Sequence, residues 1–324
     1  MKDFSDIRGF NYQPSTGTTS LENWLYFDPE LIRKELTQGK KLFPGFNTVR
    51  IWLSWDAYHR DAKAFRAHFE TYLTIADELG LKVIVCLLNR WHDSQGYDNG
   101  GVYIDNFAFP DAWCYYRSYY EAYVSDIISL HRNDPRILIW DLVNEPYSYT
   151  TETDIVKPFI EIETEWLKSL YETAKKAGAV QPVGFSVPGD TPALLERVRP
   201  FSDLFLVHPY YRPAEAPSDD TAVRQAFDEE VAACRAYADR TGLPVIATET
   251  CWGALTDEDR TEIVRFTLDT LKRYDIPFTV HALYYSRVAD LHYEEDGFVG
   301  GAGNLAFTNK DGSLRKGHGI FNEY

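Results

Sequence analysis

The sequence predicts an α/β fold, a (β/α)8 TIM barrel that forms a single domain over residues 1–324. Three observations lead to this prediction. Eight short apolar segments recur along the chain, amphipathic stretches with helical spacing lie between many of them, and glycine follows several of those stretches. Eight strands joined by helical crossovers favour a closed barrel over an open sheet. A chain of 324 residues is long for one ordinary domain but usual for this barrel.

The apolar segments are the predicted strands. Most of them are almost continuously apolar, which is typical of parallel strands that are buried on both faces. In chain order they lie in DIRGFNY near Ile7 and in residues 47–55, 81–89, 136–144, 181–189, 203–211, 243–252 and 277–286.

Five stretches between these strands have the spacing of amphipathic helices. In residues 64–79, apolar side chains such as Phe65, Phe69 and Leu73 recur at intervals of three or four, and Gly80 follows as a helix-ending residue. The same reasoning predicts helices over residues 113–131, 158–177, 221–240 and 257–274. Two connections after strands are long, residues 89–111 and 147–156. In this barrel such loops surround the mouth where sites are built.

The charge balance restricts the partners. A formal net charge of −16, from 49 acidic and 33 basic residues, argues against nucleic acid and against anionic membranes. No apolar run approaches the ~18 residues that a membrane span requires. The first residues, MKDFSDIRGF, lack the basic and apolar regions of a signal peptide. We therefore expect a cytoplasmic protein, with a secreted mature form as the alternative.

Cysteine and histidine usage predicts neither a disulfide framework nor a metal site. The four cysteines are scattered, and no pair has the spacing of a zinc site. Free thiols and the absence of any cofactor are therefore the expectation. The chain is rich in aromatic residues, with 8 Trp, 22 Tyr and 19 Phe beside a single Met. These side chains serve either core packing or flat platforms for sugar rings.

The segment ILIWDLVNEPYS, residues 137–148, combines a buried strand with polar groups at its end. Asn144 and Glu145 end the fourth predicted strand, and Glu249 in ATET ends the seventh. The ends of parallel barrel strands meet at one mouth, where two carboxylates suit general acid/base and nucleophilic chemistry. The alternative is that each glutamate pairs with a basic neighbour. Pro146 disfavours helical geometry at Glu145 and predicts an extended backbone there.

These motifs resemble those of clan A glycoside hydrolases, most closely family 5, the cellulases and mannanases. WDLVNEP resembles the acid/base motif and PVIATET resembles the nucleophile motif. GFNY at residues 9–12, Arg50 in NTVRIWLSW, and HPY at residues 208–210 follow the family order. The resemblance extends over nearly the whole chain and indicates a divergent subfamily.

The resemblance implies a retaining β-glycosidase. Glu145 would be the acid/base residue and Glu249 the nucleophile. Arg50 is the expected cation that holds Glu249 ionised, and the alternative is a buried pair between Arg50 and Asp141. Asp141 is expected to be paired rather than catalytic.

The resemblance also implies contacts to the sugar. Asn144 would hold the 2-hydroxyl, Tyr210 would donate a hydrogen bond to Glu249, and His208 would line the site. The expected additional sugar contacts are His92, as a hydrogen-bonding residue, and the aromatic platforms Trp55, Trp91, Trp252, Tyr284 and Tyr285. One departure stands out, because the family usually ends strand eight with a tryptophan beneath the reacting sugar, whereas HALYYS offers only Tyr284 and Tyr285.

The mode of action has two alternatives. The chain is expected to act on chain ends or on short β-glucoside and β-mannoside oligosaccharides, because the long aromatic segment 89–111 could close one end of the cleft. Endo-acting β-1,4-glucanase or β-mannanase activity is the alternative. A sugar-binding barrel without catalysis is disfavoured because both glutamates are present.

Overall fold

The computed structural model describes residues 4–90, 101–148, 154–189, 191–214, 220–286 and 304–324. Eight parallel strands pair in chain order, and the last pairs with the first, so that the sheet closes into a barrel. This confirms the predicted fold class. The strands are β1 (Arg8–Asn11), β2 (Thr48–Trp52), β3 (Lys82–Asn89), β4 (Ile137–Asn144), β5 (Val183–Pro188), β6 (Phe205–His208), β7 (Val245–Ala247) and β8 (Phe278–Val280).

Helices lie between the strands, as the sequence predicts. Within the described ranges they are α1 (Ser20–Leu25), α2 (Pro29–Leu42), α3 (Trp55–Arg60), α4 (Ala62–Glu78), α5 (Asp105–Ala108), α6 (Arg117–His131), α7 (Lys157–Lys176), α8 (Pro192–Val198), α9 (Asp220–Thr241) and α10 (Asp257–Arg273). Short 3-10 turns follow at Arg199–Phe201 and His318–Glu323. Gly80, at φ 69°, follows the end of α4 as expected.

The predicted helix start at Trp113 is wrong, because α6 begins at Arg117. The preceding residues form turns instead: Ala112 N–H donates to the Phe109 carbonyl, and Tyr116 N–H donates to the Asn106 carbonyl. The Trp113 side chain is 92% exposed, so it does not continue the buried stripe of α6. Apolar periodicity alone extended this helix too far.

The side chains inside the barrel are apolar in one part and charged in another. An apolar cluster fills one part, with Ile84, Ile139, Leu206 and Ile246 contributed by four strands. Two residues beyond Ile139 on β4, the inward position carries buried Asp141, which pairs with buried Arg50 of β2. The hydrophobic interior therefore gives way to charged groups toward the carboxyl ends of the strands.

Arg260 of α10 stabilises the ends of β7 and β8. Its guanidinium is buried and donates hydrogen bonds to the carbonyls of Cys251 at 2.6 Å and His281 at 2.6 Å. It also binds the carbonyls of Trp252 and Leu305. Burial lowers the pKa of this guanidinium to about 10, so it remains charged near neutral pH. Arg260 thus fixes the backbone on which the mouth of the barrel is built.

Other predictions concern thiols and membranes. All four cysteines are free as predicted, with Cys86, Cys234 and Cys251 buried and Cys114 partly exposed. Among the described helices, none combines the length and the apolar character that crossing a bilayer requires.

Candidate active site

Glu145 and Glu249 face each other at the carboxyl ends of the strands. Glu145 directly follows β4, and Glu249 lies two residues beyond β7. A carboxylate oxygen of each and one ring nitrogen of His208 lie within 4.8 Å of one another. Both glutamates are buried to more than nine-tenths, at 9% and 8% exposure. The barrel therefore brings together two carboxylates that are distant in sequence.

The backbone at Glu145 is not extended, and that prediction is wrong. Glu145 has φ 49° and Tyr147 has φ 63°, both in the left-handed region. Glu145 N–H donates to the Ser186 carbonyl at 2.7 Å, which holds the residue against β5 while the chain turns away from the strand. Proline disfavours the right-handed helical region for the preceding residue, and the chain here uses the left-handed one.

A buried ion pair supports this turn. Glu163 of α7 accepts a hydrogen bond from Tyr147 N–H at 3.2 Å and another from Arg90 Nε at 2.7 Å. Arg90, which follows β3, also donates to the Val102 carbonyl at 2.8 Å. Glu163 thus connects the loop that carries Glu145 to the segment after β3. Neither Arg90 nor Glu163 was predicted, because their pairing spans 73 residues of sequence.

Glu249 is surrounded by hydrogen-bond donors. Arg50 Nη1 donates to Oε2 at 2.9 Å, and the Tyr210 hydroxyl donates to Oε1 at 2.6 Å. His281 Nδ1 lies 3.2 Å from the same Oε1. Hydrogen bonds to a carboxylate favour its ionised form. The Tyr210 contact is the one that the family resemblance implied.

Arg50 makes both of the contacts that the sequence left as alternatives. It binds Glu249, and it also donates to Asp141 Oδ2 from Nη2 at 2.9 Å and from Nε at 3.1 Å. Asp141 is therefore paired, as predicted. The guanidinium also donates to Asn11, Asn144 and Ser186. Its planar set of five N–H donors suits this many acceptors.

The charges around Glu249 hold it ionised. Burial alone would raise the pKa of its carboxyl, but His208, His281 and Arg50 together keep that pKa well below its usual range. Burial and the neighbouring Glu249 charge raise the pKa of Tyr210 well above its usual value, so its hydroxyl remains a donor. Glu249 therefore has the charge that a nucleophile needs.

Glu145 has a different environment. Its Oε1 lies 2.8 Å from Nδ1 of His208, which is fully buried at the end of β6. This contact suits an acid/base residue, because the imidazole nitrogen can donate a hydrogen bond to the carboxyl group or accept one from it. No guanidinium contact to Glu145 occurs among the described residues. The two glutamates therefore differ in their partners as the two catalytic roles require.

The side chain of Asn144 is fixed by two hydrogen bonds. Its oxygen accepts from Arg50 Nη2 at 2.7 Å, and its nitrogen donates to Asn89 Oδ1 at 2.9 Å. This arrangement holds the amide next to Glu145. Its contact with a sugar 2-hydroxyl stays a prediction.

The predicted aromatic platforms lie in different environments. Trp252 contacts Tyr210 edge-on, with ring centroids 5.3 Å apart, and the Arg212 guanidinium covers it at 3.9 Å. Trp55 begins α3 and packs among His59, Tyr116 and Tyr120. Trp252 thus lies beside Tyr210, the hydrogen-bond donor to Glu249, whereas Trp55 packs within a cluster of aromatic side chains.

The remaining predicted sugar contacts are Tyr284, Tyr285, Trp91 and His92. Tyr284 is 7% exposed and belongs to the main apolar core, while Lys310 covers the ring of Tyr285 at 5.0 Å. Trp91 and His92 lie outside the described residues. Sugar binding by these four side chains stays a prediction.

Two residues near Glu249 were not predicted. His281 directly follows β8, and the Trp52 ring at the end of β2 lies 6.0 Å from the His281 ring and 4.6 Å from the Arg50 guanidinium carbon. The segment HALYYS begins with His281, and a single histidine before two tyrosines gives no local signal of a role at Glu249. Thr48, Arg50 and Trp52 are spaced two residues apart, so their side chains lie on the same face of β2. This period of two could have identified Trp52.

Three side chains at the mouth, Glu145, His208 and Glu249, offer three ligand atoms that could also coordinate a divalent cation. Arg50 already provides a positive charge at Glu249, and His208 Nδ1 is directed at Glu145. We therefore assign these groups to acid/base and nucleophilic chemistry. A second group, Glu70, His131 and Asp134, surrounds Arg136, whose guanidinium pairs with both carboxylates.

The fold and this pair of glutamates define a glycoside hydrolase of the barrel class. Residues 11–286 match the family described as cellulase, glycosyl hydrolase family 5, which is most of the chain. The chain belongs to this family.

Curated relatives are mannan-degrading enzymes of fungi. Mannan endo-1,4-beta-mannosidase F of Aspergillus clavatus is 25% identical over 189 residues, covering 56% of this chain and 40% of the relative. Probable mannan endo-1,4-beta-mannosidase C of Aspergillus terreus is 34% identical over 83 residues, covering 24% of this chain and 20% of the relative. The chain thus spans about two-fifths or less of the length of these relatives.

Solved structures share the fold. An exo-beta-1,4-mannosidase, Op5Man5 of Opitutaceae bacterium strain TAV5, aligns with a TM-score of 0.75 at 18% identity over 97% of this chain and 58% of that chain. The endo-1,4-beta-D-mannanase of Thermotoga petrophila RKU-1 aligns with a TM-score of 0.65 at 18% identity over 98% of both chains. These similarities show a common barrel.

Replacement of Tyr210 by Phe tests the environment of Glu249. Loss of a hydrogen bond to an ionised group costs roughly 1.5–3 kcal/mol, so we expect kcat/KM to fall roughly 10- to 100-fold. The pKa of Glu249 should rise, and activity should be lost at a higher pH than in the wild type as the solution is acidified. The measurement is the pH profile of kcat/KM with an aryl β-glycoside.

Tyr211→Phe is the matched control for this experiment. The neighbouring Tyr211 hydroxyl donates to Asp220, and its ring packs on Phe266. Its pH profile should match that of the wild type. An unchanged profile in Tyr210→Phe would show that the Tyr210 hydroxyl does not control the charge of Glu249.

Proposed function

We propose that the chain is a retaining β-glycosidase that hydrolyses O-glycosidic bonds by double displacement. The spacing of Glu145 and Glu249 carries this proposal, since one carboxylate oxygen of each glutamate lies within 4.8 Å of one oxygen of the other. Retaining enzymes hold the two carboxyl groups about 5–5.5 Å apart, whereas inverting enzymes leave ~6.5–9.5 Å for a water molecule. This close approach of the two side chains favours the retaining arrangement over the inverting one.

The first step forms a covalent glycosyl-enzyme. A carboxylate oxygen of Glu249 attacks the anomeric carbon as the bond to the leaving oxygen breaks, and Glu145 gives its proton to that oxygen. Arg50 and Tyr210 hold Glu249 in place through hydrogen bonds to its two oxygens. The site therefore starts the reaction with an ionised nucleophile.

The second step releases the sugar. Glu145, now a carboxylate, takes a proton from water, and the water oxygen attacks the anomeric carbon and displaces Glu249. His208 next to Glu145 can stabilise either protonation state, because its Nδ1 can donate or accept. Both glutamates return to their starting states, so one water is consumed per bond cleaved.

The substrate class that we favour is a β-mannoside. Both curated relatives carry names of mannan endo-1,4-beta-mannosidases, and one structural relative is named as an exo-beta-1,4-mannosidase. A β-glucoside is the second choice, because the matched family is described as cellulase.

Action at chain ends is favoured by the segment after β3. Val102 N–H donates to the Asn89 carbonyl, and the Val102 carbonyl accepts from the Arg90 guanidinium. The end of this long connection that contains Val102 therefore lies against the end of β3. Such a segment can close one side of the cleft. Endo action is the alternative, and it is favoured by the fungal relatives and by the Thermotoga petrophila mannanase.

Separate replacements of Glu145 and Glu249 by Ala test the mechanism. Each is expected to lower the turnover of an aryl β-mannoside by several orders of magnitude, because each removes a group that acts at the reacting atoms. Azide should restore turnover in Glu249→Ala and give a glycosyl azide of inverted configuration, since the small anion occupies the space of the nucleophile. The product is identified by proton NMR.

The matched control is Glu161→Ala, which changes an exposed glutamate of α7. Its turnover should equal that of the wild type. Wild-type turnover in Glu249→Ala would contradict the assignment of the nucleophile.

The products from β-1,4-mannohexaose distinguish the two modes of action. An exo enzyme releases mannose from the start and shortens the chain one unit at a time, and this is the expected result. Early formation of mannobiose and mannotriose without mannose would instead support endo action. Chromatography of samples taken below about one-tenth conversion provides the measurement, because later products are degraded again.

A further inference from the structure

His281 is held rigidly where β8 reaches the mouth of the barrel. Its N–H donates to the Thr250 carbonyl at 3.1 Å, and its own carbonyl accepts from the buried guanidinium of Arg260 at 2.6 Å. The side chain is 17% exposed, so part of the ring is open to solvent. A side chain on such a fixed backbone can hold a precise position in the site.

The imidazole contacts both the nucleophile and its neighbour. His281 Nδ1 lies 3.2 Å from Glu249 Oε1 and 3.2 Å from the Tyr210 hydroxyl oxygen. The hydroxyl proton of Tyr210 is directed to Glu249, at the shorter distance of 2.6 Å. Nδ1 therefore faces two oxygens that have no proton to give it, and it must carry the proton itself.

The charged groups around His281 favour this donor role. Among the described residues, Glu249 at the end of β7 is the carboxylate that contacts His281, and Arg50 of β2 binds the other oxygen of Glu249. Tyr210 comes from the end of β6, and Arg260 reaches the His281 backbone from α10. Glu145 and His208 belong to the same cluster of ligand atoms as Glu249. Within the part of the chain that the structure describes, the negative charge in contact with His281 is thus that of Glu249.

We propose that His281 is a positioning residue for the nucleophile: its Nδ1–H holds Glu249 ionised and fixes Oε1 together with Tyr210. The proposal deepens the proposed glycosidase function and rests on it. A tryptophan, which the family usually carries at the end of strand eight, has an indole N–H in a different place and offers a flat apolar face. In this chain the strand provides a hydrogen-bond donor to Glu249 instead.

Two substitutions separate hydrogen bonding from packing. His281→Asn places an amide nitrogen close to the position of Nδ1 and keeps a donor while losing most of the ring. His281→Phe keeps an aromatic ring and loses the donor. A positioning role predicts that Asn preserves more activity than Phe, whereas a packing role predicts the opposite order.

The pH profile of kcat/KM with an aryl β-mannoside is the first readout. In His281→Phe, the pKa of Glu249 should rise, so activity should be lost at a pH about one unit higher during acidification, with kcat/KM reduced about tenfold or more. His281→Asn should stay within about threefold of the wild type, with little shift of the profile. Circular dichroism and thermal melting verify that both variants fold.

A second readout does not depend on turnover. Carbon-13 NMR of protein labelled at the glutamate carboxyl groups follows the titration of Glu249, whose signal is assigned by its loss in Glu249→Gln. The pKa of Glu249 should be higher in His281→Phe than in the wild type and in His281→Asn. An unchanged pKa in His281→Phe, or better activity of Phe than of Asn, would overturn the role of His281.

The outcomes of the two proposals are distinct. If wild-type protein hydrolyses none of the aryl β-glycosides, the proposed function fails, and the NMR titration still decides whether His281 controls the charge of Glu249. If the wild type is active and Phe equals or exceeds Asn, the glycosidase stands and the inference about His281 fails.

Discussion

The site depends on one buried cation. Arg50 is fully buried inside the barrel, and a buried guanidinium is stable only if its charge and its N–H donors are satisfied. Asp141 of β4 and Glu249 beyond β7 provide the charges, and amide and hydroxyl oxygens of Asn11, Asn144 and Ser186 accept the remaining donors. The same contacts join residues from β1, β2, β4, β5 and the end of β7. The contacts of Arg50 therefore stabilise the closed barrel and fix the position of Glu249 at the same time.

Two identical side chains acquire different chemistry through their neighbours. Glu249 faces Arg50, Tyr210 and His281, and its pKa lies well below its usual range even though burial opposes ionisation. Glu145 faces the His208 imidazole and sits on a left-handed turn that Glu163 supports through Tyr147. The proposed nucleophile is thus held by fixed donors, and the proposed acid/base residue is held by an imidazole that can donate or accept a hydrogen bond.

The sequence predicted those features that follow from local patterns. Continuous apolar segments identified all eight strands, and polar residues at strand ends identified Glu145 and Glu249, because both signals are contained in a few neighbouring residues. Contacts between distant segments were less predictable: the pair of Arg90 and Glu163 was missed, and the two pairs of Arg50 were expected as alternatives although the structure has both. The left-handed backbone at Glu145 depends on its hydrogen bond to β5, which no local rule contains. His281 was missed because its importance comes from its distance to Glu249.

The covalent role of Glu249 is the central claim, and a trapped intermediate tests it most directly. A 2-deoxy-2-fluoro-β-mannosyl fluoride reacts through its good leaving group, while the fluorine at C2 slows breakdown of the glycosyl-enzyme because it destabilises the positively charged transition state. Protease digestion and tandem mass spectrometry then locate the added sugar. We expect one fluoromannosyl group per chain, attached to Glu249. Attachment to Glu145 or another residue, or no attachment to a protein that hydrolyses aryl β-mannosides, would contradict this account.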